Sequence, residues 1–402
     1  MIRKFSLKNI KYYIITWTFF LPGLFSRVAD YAVVQQLASY ASYLLAFGAI
    51  FIYFVFNRMK FHCNRAYIAL ALISLPMAIA TVDETGRISS IFIPLFFRLF
   101  AWMLWLDLLR ERNCLYQMIH AMSNTFFIMI VINTIGEIIL PNGFVSEMTV
   151  DGGYWQQWTS IYFLGNDNTF ALQYMFFLGI IAIDDYFHNS KITMKTIVAA
   201  IICDVSVVIV WTGSGLVSCL GMSIVLVLAY FNCLEQKYLN YKVLVPVYII
   251  IFVLIVWNQD TGFLSFVFSR LLNKDLTLSG RTLVWPEYIS LIMNKPLLGH
   301  GIAVTEYIEY RGRMRSTHNQ ILQILLYGGF ASLMGYVSLI WIALKKQYAN
   351  RHESIGAIMT WLVLIMLICF MVEQNVFYLG QYVLLYILYI GMDNIHSELA
   401  IK

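Results

Sequence analysis

The chain has 402 residues, of which 60% are hydrophobic and only 12% charged, well below the roughly one-quarter charged content of a soluble domain. Its formal net charge of +5 is modest, its distribution says more than its size, and no nucleic-acid partner is expected. Repeated apolar runs of about 16 to 25 residues indicate instead a polytopic membrane protein, because about 20 residues cross the hydrocarbon. Open backbone cannot be satisfied in lipid, so the spans are predicted to be helices and the fold all-α.

In chain order, the basic stretch 1–11 precedes an apolar run without a small-residue cleavage site, and no cleavable signal peptide is expected. About twelve spans are predicted, near 10–26, 38–56, 66–82, 88–109, 115–140, 169–187, 193–211, 216–232, 243–258, 319–344, 354–372 and 376–392. Lys and Arg set their orientation. With the N-terminus in the cytoplasm, the inner connectors hold Lys4, Lys11, Arg58, Arg65, Arg110, Lys191, Lys195, Lys242, Lys345 and Arg351, whereas the short outer ones hold only Arg27 and Arg87. This asymmetry obeys the positive-inside rule and puts both termini in the cytoplasm. The chain reads as a single transmembrane domain, 1–402, with two larger extracytoplasmic loops, 141–168 and 259–318.

The six cysteines are spread through apolar runs and basic connectors, without the clustering of a disulfide framework or zinc site. Phosphate-loop, dinucleotide-binding and nucleophile-elbow motifs are also missing.

The loop 259–318 is the one long polar excursion, and it is basic despite lying outside, which points to an anionic ligand. Ser279 is placed to cap a helix over about 282–294 that Pro296 stops. Arg281, Trp285 and Tyr288 then share a face, suiting an interfacial helix with aromatic anchors. Gly299-His300-Gly301 reads as a tight turn. Arg311, Arg313 and Arg315 alternate, so an extended backbone sets all three on one side.

Guanidinium forks bind phosphate bidentately, making Arg281, Arg311, Arg313 and Arg315 candidates for a diphosphate. His318 suits proton abstraction from a hydroxyl, and the alternative is a capping role beside Asn319. His300 reads as a turn residue. Among ionisable residues within spans, Arg98 is read as pairing with Asp204 or contacting phosphate, while Glu137 and Glu373 lie near outer ends. The connector 211–215 is either an anion nest or a plain helix turn. Asn166, Asn168, Trp285 and Asn319 are the candidates for sugar contacts. Trp155, Trp158 and Tyr162 suit an interfacial belt.

The ordered set Ser279-Gly280-Arg281, Trp285, Pro296-Leu-Leu-Gly299-His300-Gly301, His318-Asn319 and Gly328-Gly329 resembles the O-antigen polymerase and O-antigen ligase superfamily. Gly165-Asn166-Asp167-Asn168 is similar to that superfamily's Gly-x-x-Asn segment. The resemblance implies a fold of the lipid-linked sugar transferase type, with short helices in the long outer loop. It implies a metal-independent glycosyltransferase, without cofactor, that uses an undecaprenyl-diphosphate-linked glycan. Arg281 would hold the diphosphate, arginines near 311–315 would complete that pocket, and His318 would activate or stabilise the acceptor hydroxyl. One departure is that Thr212-Gly213-Ser214 is followed by Gly215 where the family often carries arginine, and Arg98 or one of Arg311, Arg313 and Arg315 is the candidate substitute.

The expected activity is polymerisation of polysaccharide repeat units in the bacterial inner or plasma membrane, with the site on the extracytoplasmic face. A chain-length regulator and a flippase are expected partners. The alternatives are an O-antigen ligase acting on lipid A core and a flippase for the lipid-linked unit.

Overall fold

A computed structural model describes residues 9–20, 32–87, 92–151, 155–234, 241–256, 281–302, 308–310, 313–315, 317–349 and 353–391. Among these residues five helices come first: α1 (Ile10–Phe19), α2 (Ala32–Phe56), α3 (Arg65–Thr85), α4 (Phe92–Glu111) and α5 (Leu115–Ile139). A small sheet follows, made of β1 (Val145–Asp151), β2 (Trp155–Tyr162) and β3 (Gly165–Asn166). Next come α6 (Asp167–Asn189), α7 (Met194–Val210), α8 (Gly213–Tyr230), α9 (Tyr241–Val256) and α10 (Arg281–Asn294). A hairpin of β4 (Ile308–Tyr310) and β5 (Arg313–Arg315) precedes α11 (Gln320–Ala349), α12 (Ser354–Cys369) and α13 (Leu379–Ile390).

A helix occupies every segment expected to span. Among the described residues six are long and apolar enough to cross a membrane on their own: 36–56 within α2, all of α3 and α5, 170–189 within α6, α8 and α11. The protein is a mostly helical, multi-pass membrane protein. The two long connectors, 141–168 and 259–318, depart from the all-α expectation in their described parts. In the first, β1 pairs antiparallel with β2 from Val145↔Ile161 to Asp151↔Trp155, and β2 pairs with β3. The aromatic and β-branched residues of β2 favour a strand. A loop outside hydrocarbon can pair strands because water is available to whatever the ladder leaves over.

The packing is concentric. α6 is almost wholly buried, lying against α5, α7, α8, α12 and α13. The large exposed side chains are apolar instead: Leu44, Phe47 and Phe51 on α2, Ile201 on α7, Ile224 on α8 and Met334 on α11. Such a surface is unfavourable in water and natural against lipid tails.

The glycine motifs of the second loop explain each other. α11 is broken at Gly329, whose φ of 62° and ψ of −164° are not helical. The segment 296–301 plugs the break. Phe330 N–H donates to the Pro296 carbonyl (2.8 Å) and Ala331 N–H to that of Leu297 (3.2 Å), while His300 and Gly301 N–H groups donate to the Leu326 and Tyr327 carbonyls (2.7 and 2.9 Å). The Leu326 and Tyr327 carbonyls and the Phe330 and Ala331 N–H groups beside the kink thus find partners in the plug, as a membrane helix requires. The approach is too close for side chains: a Cβ on Gly329 would lie 2.3 Å from the Leu297 carbonyl carbon, and one on Gly301 (φ +78°) 2.4 Å from Thr81 N. Ile302 N–H donates to Thr81 Oγ1 (2.8 Å), so the plug is held between α3 and α11. Lys295 fastens its start, pairing with Asp83 (3.5 Å) and hydrogen-bonding Glu84, whose carboxylate raises the Lys295 ammonium above its ordinary pKa.

Candidate functional site around His318

His318 stands between the β5 hairpin and α11, and both neighbours are completely buried. Asn319 acts as the N-cap of α11: its Oδ1 accepts from the Ile321 and Leu322 N–H groups (both 3.0 Å), and its Nδ2 donates to the Met371 carbonyl (2.9 Å). Thr317 is fixed from the other side, because Trp285 Nε1–H of α10 donates to its carbonyl (2.8 Å). Its hydroxyl lies 3.1 Å from Gln374 Oε1. Squeezed between these anchors, His318 adopts a left-handed backbone with φ +43°. For a residue with a ring side chain this costs about 1–3 kcal/mol, and such strain persists where the surroundings over-determine it. The imidazole remains about a third exposed.

The turn between α12 and α13 supplies the partner. Glu373 is buried, with Oε2 3.7 Å from His318 Nδ1, while its Oε1 accepts from Ser214 Oγ at 3.1 Å. Ser214 lies in the first turn of α8, and Gly215 beside it lets α8 close on α6: a Cβ there would lie 2.8 Å from that of Ala171. Further bonds lock the α12–α13 turn to the start of α11. Gln320 N–H donates to the Phe370 carbonyl (2.8 Å), and Asn375 N–H to Gln320 Oε1 (2.6 Å). Three chain stretches distant in sequence therefore converge on one imidazole and one carboxylate.

An apolar cavity of about 320 Å³ adjoins this group between α9, α11 and α12. Tyr248, Phe252, Leu333, Tyr336 and Phe370 wall it, together with Gln320.

Several expected residues sit elsewhere or are described only in part. Trp285 and Tyr288 are buried, so the aromatic face of α10 packs into the protein and is not displayed at an interface. For Arg281, the first residue of α10, for Arg313 and Arg315 on β5, and for Asn168 on α6, the structure describes backbone position alone. Arg311 and Ser279 lie outside the described residues. His300 is a turn residue: Nε2 meets the Leu291 carbonyl at 2.8 Å. Arg98 lies on α4 beside Tyr43 of α2, and Asp204 beside Ser223 of α8. The expected Arg98–Asp204 pair does not form, because α4 packs on α2 and α13 while α7 packs on α5, α6 and α8.

Asn166 ends the small sheet just before α6, above a fully buried polar network. Asn133 donates to Glu137 (2.6 Å) and Tyr174 (2.8 Å), Ser206 donates to Glu137 (2.8 Å), and Asn133 Oδ1 receives the Leu164 N–H (2.8 Å). The turn leading into Asn166 is thereby tied to three helices. On the opposite end of α5, His120 meets Asp184 at 2.9 Å and Lys195 meets it at 3.1 Å, a group apart from His318.

Sequence reasoning singled out Glu373 as an ionisable residue near an outer end but did not join it to His318. One available signal was that it is the only acidic residue between Glu353 and Asp393. Ser214 carried no such mark.

No curated protein matches the chain. Residues 198–337 match the family model described as O-antigen ligase. The matched stretch runs from α7 into α11 and holds Ser214, Arg281, Trp285, the plugging loop and His318, while Arg98, Asn166 and Glu373 lie outside it. Together with the ordered motifs inside that stretch, this match supports the likeness to the O-antigen polymerase and ligase superfamily.

Proposed function

We propose that the chain is a repeat-unit polymerase, moving a growing glycan from undecaprenyl diphosphate onto the next lipid-linked unit. The observation that carries this reading is the strained, partly exposed His318 with a buried carboxylate against Nδ1. Glu373 favours the tautomer protonated at Nδ1, which leaves Nε2 as the base. In the proposed step an acceptor hydroxyl oxygen attacks the anomeric carbon and its proton passes to His318 Nε2. The bond from that carbon to the diphosphate oxygen breaks, and its electron pair leaves with the diphosphate. In-line displacement inverts the anomeric centre.

Arg281, with Arg311, Arg313 and Arg315, neutralises the leaving diphosphate in this account, and Arg98 is a further candidate. Fixed cations aimed at developing charge stabilise a transition state by about 2.7–4 kcal/mol for a single lost donor. Asn166 and Asn168 are assigned to the glycan. The cavity beside Gln320 is apolar and suits the first isoprene units of the carrier, with its head toward His318. The site faces away from the cytoplasm, both termini face into it, and no metal takes part. A chain-length regulator and a flippase belong to the same assembly.

A second reading, ligation to lipid A core, is favoured by the description of the matching family. The transport reading draws no such support: the one broken helix among the described residues, α11, has its break filled by residues 296–301.

Purified protein given lipid-linked repeat units, with or without lipid A core, separates these readings. A ladder of lengthening lipid-linked glycan supports polymerase. Transfer of preformed glycan to the core alone overturns it in favour of ligase.

A further inference from the structure

The membrane-facing side of the protein carries a second concave site, centred away from His318 and sharing Val337 with the cavity beside Gln320. α3 and α11 touch backbone to backbone at Gly335, where a Cβ would lie 2.7 Å from both Ala69 O and Ile73 N. Ser332 Oγ also donates to the Ile73 carbonyl (2.7 Å). From this contact toward the start of α3, a groove of about 340 Å³ opens between the two helices, lined by Arg65, Ile68, Leu72, Val337, Trp341 and Ile342. That volume falls within the range of small-molecule sites.

The groove has the polarity of an amphiphile. On α3 its wall runs Arg65, Ile68, Leu72, and on α11 it runs Trp341, Val337; Lys345 lies past the lining, one turn beyond Trp341 on the same stripe. Each stripe therefore starts with a cation and continues apolar. Both cations are exposed, and neither side chain has a hydrogen-bond or ion-pair partner among the described residues. Trp341 is braced from behind by Tyr241 of α9, edge to face with ring centroids 4.7 Å apart. Ile68 and Val337 are more than half exposed, so the groove is open to lipid tails.

We propose that this groove seats an anionic glycerophospholipid of the surrounding bilayer, with its phosphate between Arg65 and Lys345 and an acyl chain along Ile68, Leu72 and Val337. Basic pockets between membrane helices at the cytoplasmic surface recognise anionic headgroups in this way. A zwitterionic lipid brings its own cation toward Arg65 and Lys345 and gains less. The Lys and Arg distribution assigns this end to the cytoplasmic leaflet.

Native mass spectrometry of the full-length protein in detergent tests the proposal, using phosphatidylglycerol and phosphatidylcholine with identical chains. Phosphatidylglycerol should be retained at least about fivefold better, and Arg65→Ala or Lys345→Ala should each lower its retention about fivefold. Arg65→Lys should largely keep it. Both residues are on the surface, so their variants should fold, as thermal unfolding would verify. A phosphatidylglycerol with a photoreactive acyl chain should label peptides around 68–72 or 337–342. Equal retention of the two lipids, parental binding by both alanine variants, or labelling confined to other helices would each overturn the proposal.

Discussion

His318 and Glu373 lie 3.7 Å apart, and the proposed mechanism gives them different tasks. In the account above the imidazole takes the proton, so His318→Ala should lower kcat by about 10²–10⁴-fold. Glu373 works through the imidazole by fixing its tautomer and orientation. Replacing the carboxylate with a neutral amide in Glu373→Gln removes the buried charge 3.7 Å from Nδ1 and should lower kcat by roughly tenfold, with KM for the lipid-linked unit nearly unchanged. Steady-state kinetics on the two variants checks both expectations; a rise in KM alone for Glu373→Gln would show a binding role instead. Gly301 illustrates a residue chosen for backbone reasons. It has φ +78° and stands where a Cβ would lie 2.4 Å from Thr81 N. Gly301→Ala should therefore destabilise the protein by at least about 2 kcal/mol, read as a lower thermal midpoint in detergent.

At the scale of elements, α10 acts as a strut. Its buried Trp285 holds the Thr317 carbonyl, and thus the residue immediately before His318. Trp285→Phe keeps most of the packing but leaves that carbonyl without its donor, at a cost of about 1–3 kcal/mol. The expected result is a fall in kcat at little-changed KM, since the loop beneath His318 loosens. A sugar-stacking role for Trp285 would show the reverse, a raised KM at constant kcat. The sequence made α10 legible, for its observed limits Arg281–Asn294 lie within a residue of the expected ones. It did not reveal that the aromatic face turns inward. Spacing of three and four reports which residues share a face, but the partner of that face is set by the whole bundle. The same holds for Gly328-Gly329 and Gly299-His300-Gly301. Each reads as a local turn signal, whereas the structure fits one into the other.

For the whole molecule, positions of helices were readable because hydrocarbon thickness imposes their length and apolarity. The strands of the outer loops were not, since nothing outside the membrane forces that choice. Convergence of Ser214, His318 and Glu373 was also beyond a linear reading, because it depends on how α8, α11 and α12 pack. The topology proposed from the charge distribution is simple to check. Cys63 and Cys233 are exposed, in connectors assigned to the cytoplasm, so an impermeant maleimide should label them only in opened cells. A cysteine introduced by Asn142→Cys, in the first outer loop, should be labelled in intact cells. The opposite pattern would invert the orientation and place His318 in the cytoplasm.

The most direct test of the central claim is elongation of a purified undecaprenyl-diphosphate repeat unit by the parent protein and by His318→Ala, each with and without chelator. The account predicts a product ladder from the parent that survives chelation and disappears in the folded variant. An undiminished ladder from His318→Ala would remove this histidine from the chemistry, and a parental ladder abolished by chelator and restored by metal would contradict a metal-independent transfer.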